Sequence, residues 1–153
     1  MKEPAWVLRP VVEAVHDAEL AEHGGAPGIR DVALLDSALA RPQHLFAYRR
    51  VDLCDMAAAY AFGIARNHPF IDGNKRTAFL TAYVFLGRNG LDLSASETNV
   101  VAAMLALASG ELKESEFAAW LRENTNALDT HDGRPLTISL RREPTTTGGG
   151  SRT

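Results

Sequence analysis

The sequence predicts an all-α fold, a compact helical bundle around one central buried helix, with a flexible C-terminal tail. Three observations carry that prediction. Apolar residues recur at helical spacing in six separate stretches. One of these, Asn74 to Asn89, is apolar nearly all round through Phe79, Leu80, Tyr83, Val84, Phe85 and Leu86, the pattern of a helix surrounded by other helices. Finally, a hydrophobic fraction of 46% over 153 residues is enough to build a core in a single domain.

The elements follow in order. Pro10 with Val11, Val12, Val15 and Leu20 predicts a first helix, stopped by Gly24-Gly25. Asp31 caps a second helix that buries Val32, Leu34, Leu35 and Leu39, and Pro42 is expected to close it, leaving 42–50 as a connecting loop. Asp52 caps a third, with Leu53, Met56, Ala57, Tyr60 and Ile64 on one face, running to Asn67 before Pro69. The central fourth helix ends at Gly90. Ser94 and Glu97 have capping-box spacing for a fifth helix carrying Val100, Val101, Met104, Leu105 and Leu107. A sixth begins near Ser115 and buries Phe117, Trp120 and Leu121. From about Ala127 the helical pattern is lost, and 145–153 is Thr, Gly and Ser with one Arg, a composition that cannot bury enough surface to order itself. The expected division is a domain over 1–126 and a tail over 127–153, with at most a short strand near Leu136 to Leu140.

Charge and composition narrow the function. With 16 basic against 19 acidic residues and a net charge of -3, the chain lacks the basic stripe that phosphate-backbone binding needs, so no direct nucleic-acid role is expected. The single Cys54 falls in an apolar helical pattern and reads as a buried thiol in a reducing, cytoplasmic setting. No apolar run approaches a membrane span, and the first ten residues have no signal-like core. His16, His23 and His44 lack the short spacings of a zinc site and are expected to be structural or superficial. Tyr60, Phe62, Phe79, Tyr83 and Phe85 are read as core, not as a base-stacking surface.

Chemistry concentrates in His68-Pro69-Phe70-Ile71-Asp72-Gly73-Asn74-Lys75-Arg76. The Gly73-Asn74 step opens a helix whose first backbone N–H groups lack intrahelical partners, and those donors with the macrodipole make an anion site. Gly73 allows close approach of a phosphate, while Lys75 and Arg76 add positive charge where a helix start ordinarily carries acidic residues. Asp72 alone would compensate only part of that charge, so a bound polyphosphate is expected. A lone carboxylate beside bound phosphates suits Mg²⁺, making Asp72 the candidate metal ligand. His68, set by Pro69 and by Phe70 anchored in the core, is the candidate general base for an attacking hydroxyl.

These nine residues resemble the signature of the Fic/Doc superfamily, a His-x-Phe-x-Asp/Glu-Gly/Ala-Asn-x-Arg loop before a central helix. The resemblance to the Doc, or death-on-curing, branch extends upstream through His16-Asp17 and Gly24-Gly25-Ala26-Pro27-Gly28-Ile29-Arg30-Asp31 and downstream through Arg88-Asn89-Gly90, covering roughly 8–126. Lys75 and Phe79 stand where adenylylating Fic enzymes have Gly and a second Arg, and both changes look like Doc. The resemblance implies a toxin that binds ATP in reverse and transfers its γ-phosphate to a Ser or Thr hydroxyl of a protein target, elongation factor Tu, halting translation. In that implied scheme His68 takes the hydroxyl proton, Asp72 holds Mg²⁺, and Gly73, Asn74, Lys75 and Arg76 bind the phosphates. Pro69 and Gly73 follow the Fic wording, so AMP transfer stays open, as does a catalytically silent partner-binding module. The family's target-docking flap would correspond to 41–50, with Phe46 and Tyr48 as docking candidates.

The resemblance also implies a partner. Self-inhibited Fic proteins carry a Ser/Thr-x-x-x-Glu-Gly/Asn helix, but here only Glu123 is followed by Gly or Asn, and Ala119 occupies the Ser/Thr place. Inhibition is therefore expected from a cognate antitoxin whose flexible C-terminal segment folds onto the toxin.

Overall fold

The computed structural model describes residues 1–128, in which six helices and one two-stranded ribbon realise the all-α fold. The helices are α1 (Arg9–His23), α2 (Val32–Tyr48), α3 (Leu53–Asn67), α4 (Asn74–Arg88), α5 (Glu97–Ser109) and α6 (Glu114–Glu123); β1 (Leu91–Leu93) pairs antiparallel with β2 (Thr125–Ala127). In α4, every residue from Thr77 to Leu86 is buried, as its all-round apolar pattern requires. Beside it, α3 packs against α2, α4, α5 and α6. Its small residues permit that closeness: a Cβ on Gly63 would lie 2.9 Å from Ala38 Cβ. The aromatic set behaves as core, with Tyr60, Phe79, Tyr83 and Phe85 buried and Phe62 half-buried beneath the Arg41 and Arg66 guanidinium groups. Cys54 is buried too, and burial pushes its thiol up from the ordinary range, away from thiolate chemistry.

Three boundaries differ from the sequence reading. Helix α2 does not close at Pro42 but continues to Tyr48 with Pro42 buried inside it. Pro42 has no N–H for the Ala38 carbonyl, a defect that costs about 3 kcal/mol in an isolated helix. Tertiary contacts offset it. Arg41 pairs with Glu114 of α6, and Phe46 packs edge-on against Trp6, centroids 5.9 Å apart. Trp6 in turn stacks on Phe85 of α4. Most of the expected 42–50 loop is therefore helix.

The second difference concerns α5. Its cap is Ser96, which accepts from the Asn99 amide at 3.1 Å, and not Ser94. Ser94 follows directly on β1, and its N–H goes to the Asn124 carbonyl. The third concerns the domain boundary placed at 126: Ala127 pairs with Leu91, and the Leu128 N–H donates to the Gly90 carbonyl, so both belong to the folded domain. The remainder of the predicted tail, 129–153, with the short strand considered near Leu136 to Leu140, lies outside the described residues. No helix among the described residues is long and apolar enough to cross a membrane.

Candidate active site

The nine-residue motif forms the turn between α3 and α4, and its backbone is held from both sides. His68 is the C-cap of α3 in the left-handed region, φ 49 and ψ 56. It is the only non-glycine residue with positive φ among those described, and such conformations persist only where their surroundings enforce them. The enforcing group is Arg30, whose Nε donates to the His68 carbonyl at 2.7 Å and whose Nη2 donates to that of Asn67 at 2.8 Å. Backbone N–H groups of Arg30 and Asp31 both donate to the Pro69 carbonyl, and Ile71 N–H donates to Gly28. The Gly24–Asp31 segment is thus a brace for the motif. Its sequence gave no sign of this, because only the fold sets residues 38 positions apart side by side.

Phe70 is buried, as expected, and Pro69 beside it. Asn74 ties the loop to itself: its Oδ1 accepts from the Phe70 N–H and its Nδ2 donates to the Phe70 carbonyl, each at 2.9 Å in a buried setting. The Asn74 side chain is therefore committed to the loop, and what it can present to a phosphate is its backbone N–H. Helix α4 has Gly73 as N-cap, at φ 77, with no side chain capping it. Helices α2, α3 and α5 are capped by Asp31, Asp52 and Ser96, whereas α1, which starts with Pro10 in its first turn, shares with α4 the lack of a side-chain cap. The leading amides of α4 remain for an external anion.

Around this helix start lies a cavity of about 280 Å³ lined by Asp72 to Arg76 and, on its other wall, by Phe79 and the α5 residues Val100, Val101, Met104 and Leu105. The Asp72 carboxylate is solvent-exposed and fixed by two backbone donors, Ala26 N–H at 3.2 Å and Gly73 N–H at 3.0 Å. Its remaining lone pairs are open, which fits a cation that takes most of its ligands from phosphate oxygens and water. Among the described residues no group of three His, Cys, Asp or Glu side chains is placed to hold a metal ion. The His68 ring is exposed and makes no hydrogen bond to the described residues.

One of the two charges falls differently from the sequence argument. Arg76 is not an uncompensated cation: its Nε pairs with buried Glu19 of α1, and its Nη2 with Glu97 of α5 at 3.2 Å. Glu19 also faces His23 at 3.2 Å. The anion that the sequence seemed to require beside Arg76 is thus partly supplied by Glu19, which arrives from another helix and had no local signature. Lys75 is the charge left over, exposed at the first turn of α4 without an ion pair among the described residues. His16, expected to be structural or superficial, is buried and stacked on Phe70 at 3.9 Å, and it also reaches the Asp72 carbonyl, Nε2 to O 2.8 Å. Of the docking candidates, Tyr48 is 83% exposed while Phe46 is half-buried against the core, and both are helical.

Glu97 sits half in solvent, paired with the cavity-lining Arg76, and would compete for it with any phosphate bound there. An exposed pair of this kind is worth about 0.2–1 kcal/mol. Replacing Glu97 with glutamine is expected to tighten ATP binding, on the order of two- to fivefold by that measure, in a calorimetric titration. Weaker binding would mean instead that Glu97 orients Arg76 for the ligand.

Comparison with known proteins agrees with this geometry. The Fic/DOC family model matches residues 6–86, which span the brace, the motif and most of α4. The chain is 37% identical over 110 residues to Protein kinase doc of Escherichia phage P1, covering 71% of this chain and 86% of that protein. It is 50% identical over 76 residues to Toxin Doc of Mycolicibacterium smegmatis (strain ATCC 700084 / mc(2)155), a stretch covering 47% of this chain and 57% of that protein. With the signature loop braced at the start of a buried central helix, the chain belongs to the Fic/DOC family, in its Doc branch.

Proposed function

We propose that this protein is a Doc-type toxin that transfers the γ-phosphate of ATP to a Ser or Thr hydroxyl of a protein target. The observation that carries this reading is Lys75: an unpaired ammonium among the described residues, at an uncapped helix start that lines the cavity. Backbone N–H groups and a mobile point charge on one side, with Asp72 on the other, suit a polyphosphate and its Mg²⁺. Phosphoryl transfer asks little of the protein beyond positioning and charge neutralisation, and no Ser or Cys nucleophile is needed.

In this reading, Gly73, Asn74, Lys75 and Arg76 hold phosphates, Asn74 through its backbone N–H and Gly73 through an N–H that must first leave Asp72 Oδ1. Asp72 would hold Mg²⁺, which neutralises charge on the phosphate oxygens when bound. His68 accepts the proton of the target hydroxyl as its oxygen attacks phosphorus, and ADP departs. The names of the two relatives, a protein kinase and a toxin, support the same assignment. Elongation factor Tu is the proposed target and the cytoplasm the proposed location. A cognate antitoxin with a flexible C-terminal segment is the proposed inhibitor, and the exposed Tyr48 with Phe46 remains the proposed docking point for the target.

Parallel labelling of purified elongation factor Tu, and of a bacterial extract, with ATP carrying label on either the γ or the α phosphate tests this directly. Label from the γ position alone is the expected result. Label from the α position would establish AMP transfer instead, and no label dependent on His68 would leave a silent binding module. Lys75→Gly extends the test by removing the charged side chain that lines the cavity at the helix start. It is expected to lower γ-phosphate transfer at least tenfold, about the loss of one charge-assisted contact of 1.5–3 kcal/mol, and to raise α-label transfer. An unchanged product would exclude Lys75 as the cause of the nucleotide's orientation.

A further inference from the structure

We infer that His16 is a positioning residue for the phosphate site, acting by fixing the orientation of the Asp72–Gly73 peptide; this rests on the polyphosphate reading above. The peptide is the hinge of the motif. Its carbonyl meets His16 Nε2 at 2.8 Å, and its N–H donates to Asp72 Oδ1 at 3.0 Å. In a trans peptide the carbonyl and the N–H point in opposite directions, so holding one determines the other. With the carbonyl turned toward α1, the N–H points the other way, to the Asp72 carboxylate.

Nothing in the residue itself prevents the opposite arrangement. Gly73 sits at φ 77, and glycine accepts either sign of φ at little cost, so this plane can rotate where a bulkier residue would resist. A rotated plane would put a carbonyl oxygen, not a donor, at the mouth of an anion site. The Asp72 carboxylate holds the N–H end only while its Oδ1 accepts that bond; in a cation-bound state that hold would be weakened. The His16 contact comes from another helix and does not depend on where the carboxylate points.

The surroundings of His16 suit such a role. Its side chain is 2% exposed, its ring lies nearly parallel to Phe70 with 13° between the planes, and a Cβ on Gly73 would lie 3.6 Å from its Nε2. Phe70 is itself pinned by Asn74, so the imidazole rests on a fixed surface and presents one N–H to one carbonyl. Burial of a ring on a ring needs only an aromatic side chain; the hydrogen bond needs a donor at the Nε2 position.

The two requirements separate in a pair of variants of the whole chain. His16→Phe keeps the stacked ring and loses the donor, while His16→Gln loses the ring and keeps an amide N–H near the Nε2 position. Thermal unfolding establishes that both fold, the Gly73 amide resonance in ¹⁵N-labelled protein reports the peptide plane without ligand, and titration with ATP and Mg²⁺ reports the site. His16→Phe is expected to move the Gly73 resonance and to weaken ATP binding on the order of tenfold, the loss of one oriented donor set. His16→Gln is expected to restore both toward the wild type even if its unfolding temperature is the lower of the two. An unmoved Gly73 resonance with unchanged ATP affinity in His16→Phe would overturn the inference, as would a His16→Gln protein that loses ATP binding as fully as His16→Phe. Wild-type protein that binds no ATP would overturn the polyphosphate reading, and the Gly73 resonance would still decide whether His16 sets the peptide.

Discussion

His68→Ala is expected to abolish measurable transfer, with a fall in turnover of about a hundred- to ten-thousandfold, the range supplied by a positioned general base, while ATP affinity changes less than twofold. The separation follows from the structure. The imidazole is exposed and makes no hydrogen bond to the described residues, so removing it strands no buried partner. What holds the loop is the His68 backbone, through its carbonyl bond to Arg30 and its N–H to Ile64, and alanine retains both. The conformational cost is small, because histidine already bears the left-handed φ of 49 and alanine shares most of that penalty. His68→Asn provides the control, because asparagine tolerates that region well and cannot serve as a base near neutral pH. Transfer assays and ATP titrations on both variants should agree. Substantial transfer by either would place the base elsewhere, and parallel loss of binding and transfer would make His68 a ligand for the nucleotide.

Asn74→Ala is expected to act in the opposite manner, through the fold first. Two buried backbone groups of Phe70 lose their partners at once, and an unsatisfied buried group costs about 1–3 kcal/mol. A loss on the order of 2–4 kcal/mol is expected, against the roughly 5–15 kcal/mol by which a domain is stable, with water from the adjoining cavity limiting the damage. The unfolding temperature should fall by on the order of 10 °C. Transfer and ATP binding should fall together, since Phe70 no longer sets the turn from which Asp72, Gly73 and the α4 amides project. A variant of wild-type stability would show that the Phe70 groups find other partners. Retained stability with lost ATP binding would point to direct contact between the Asn74 side chain and phosphate.

Much of this was legible in the linear chain because much of it is local. Helical spacing of apolar residues places α1, α3, α4 and α6 to within a residue or two, and the caps at Asp31 and Asp52 depend only on residues three positions away. The motif was legible for the same reason: His68 through Arg76 forms one turn and the start of one helix, so its donors, its carboxylate and its charges are neighbours in sequence and in space. Even the commitment of Asn74 to Phe70 spans four positions.

The features that tertiary structure decided all depend on distant partners. Helix α2 passes through Pro42 because Trp6 and Glu114 stabilise the segment around the defect, overriding a local preference for ending there. Ser94 and Ser96 have similar capping chemistry, and pairing of β1 with β2 is what assigns the cap to Ser96. The site shows the same division. The sequence determined a basic helix start beside a carboxylate and a histidine, whereas the fold determined which charges remain available to a ligand. Arg76 is met by Glu19 and Glu97, His68 is turned by Arg30, and the Asp72 peptide is held by His16 across 56 positions, leaving Lys75 as the cation of the motif without an ion pair among the described residues. Backbone donors and helix periodicity are properties of a short stretch of chain, but neutralisation of a charge depends on which side chains the packing brings within a few ångströms of it.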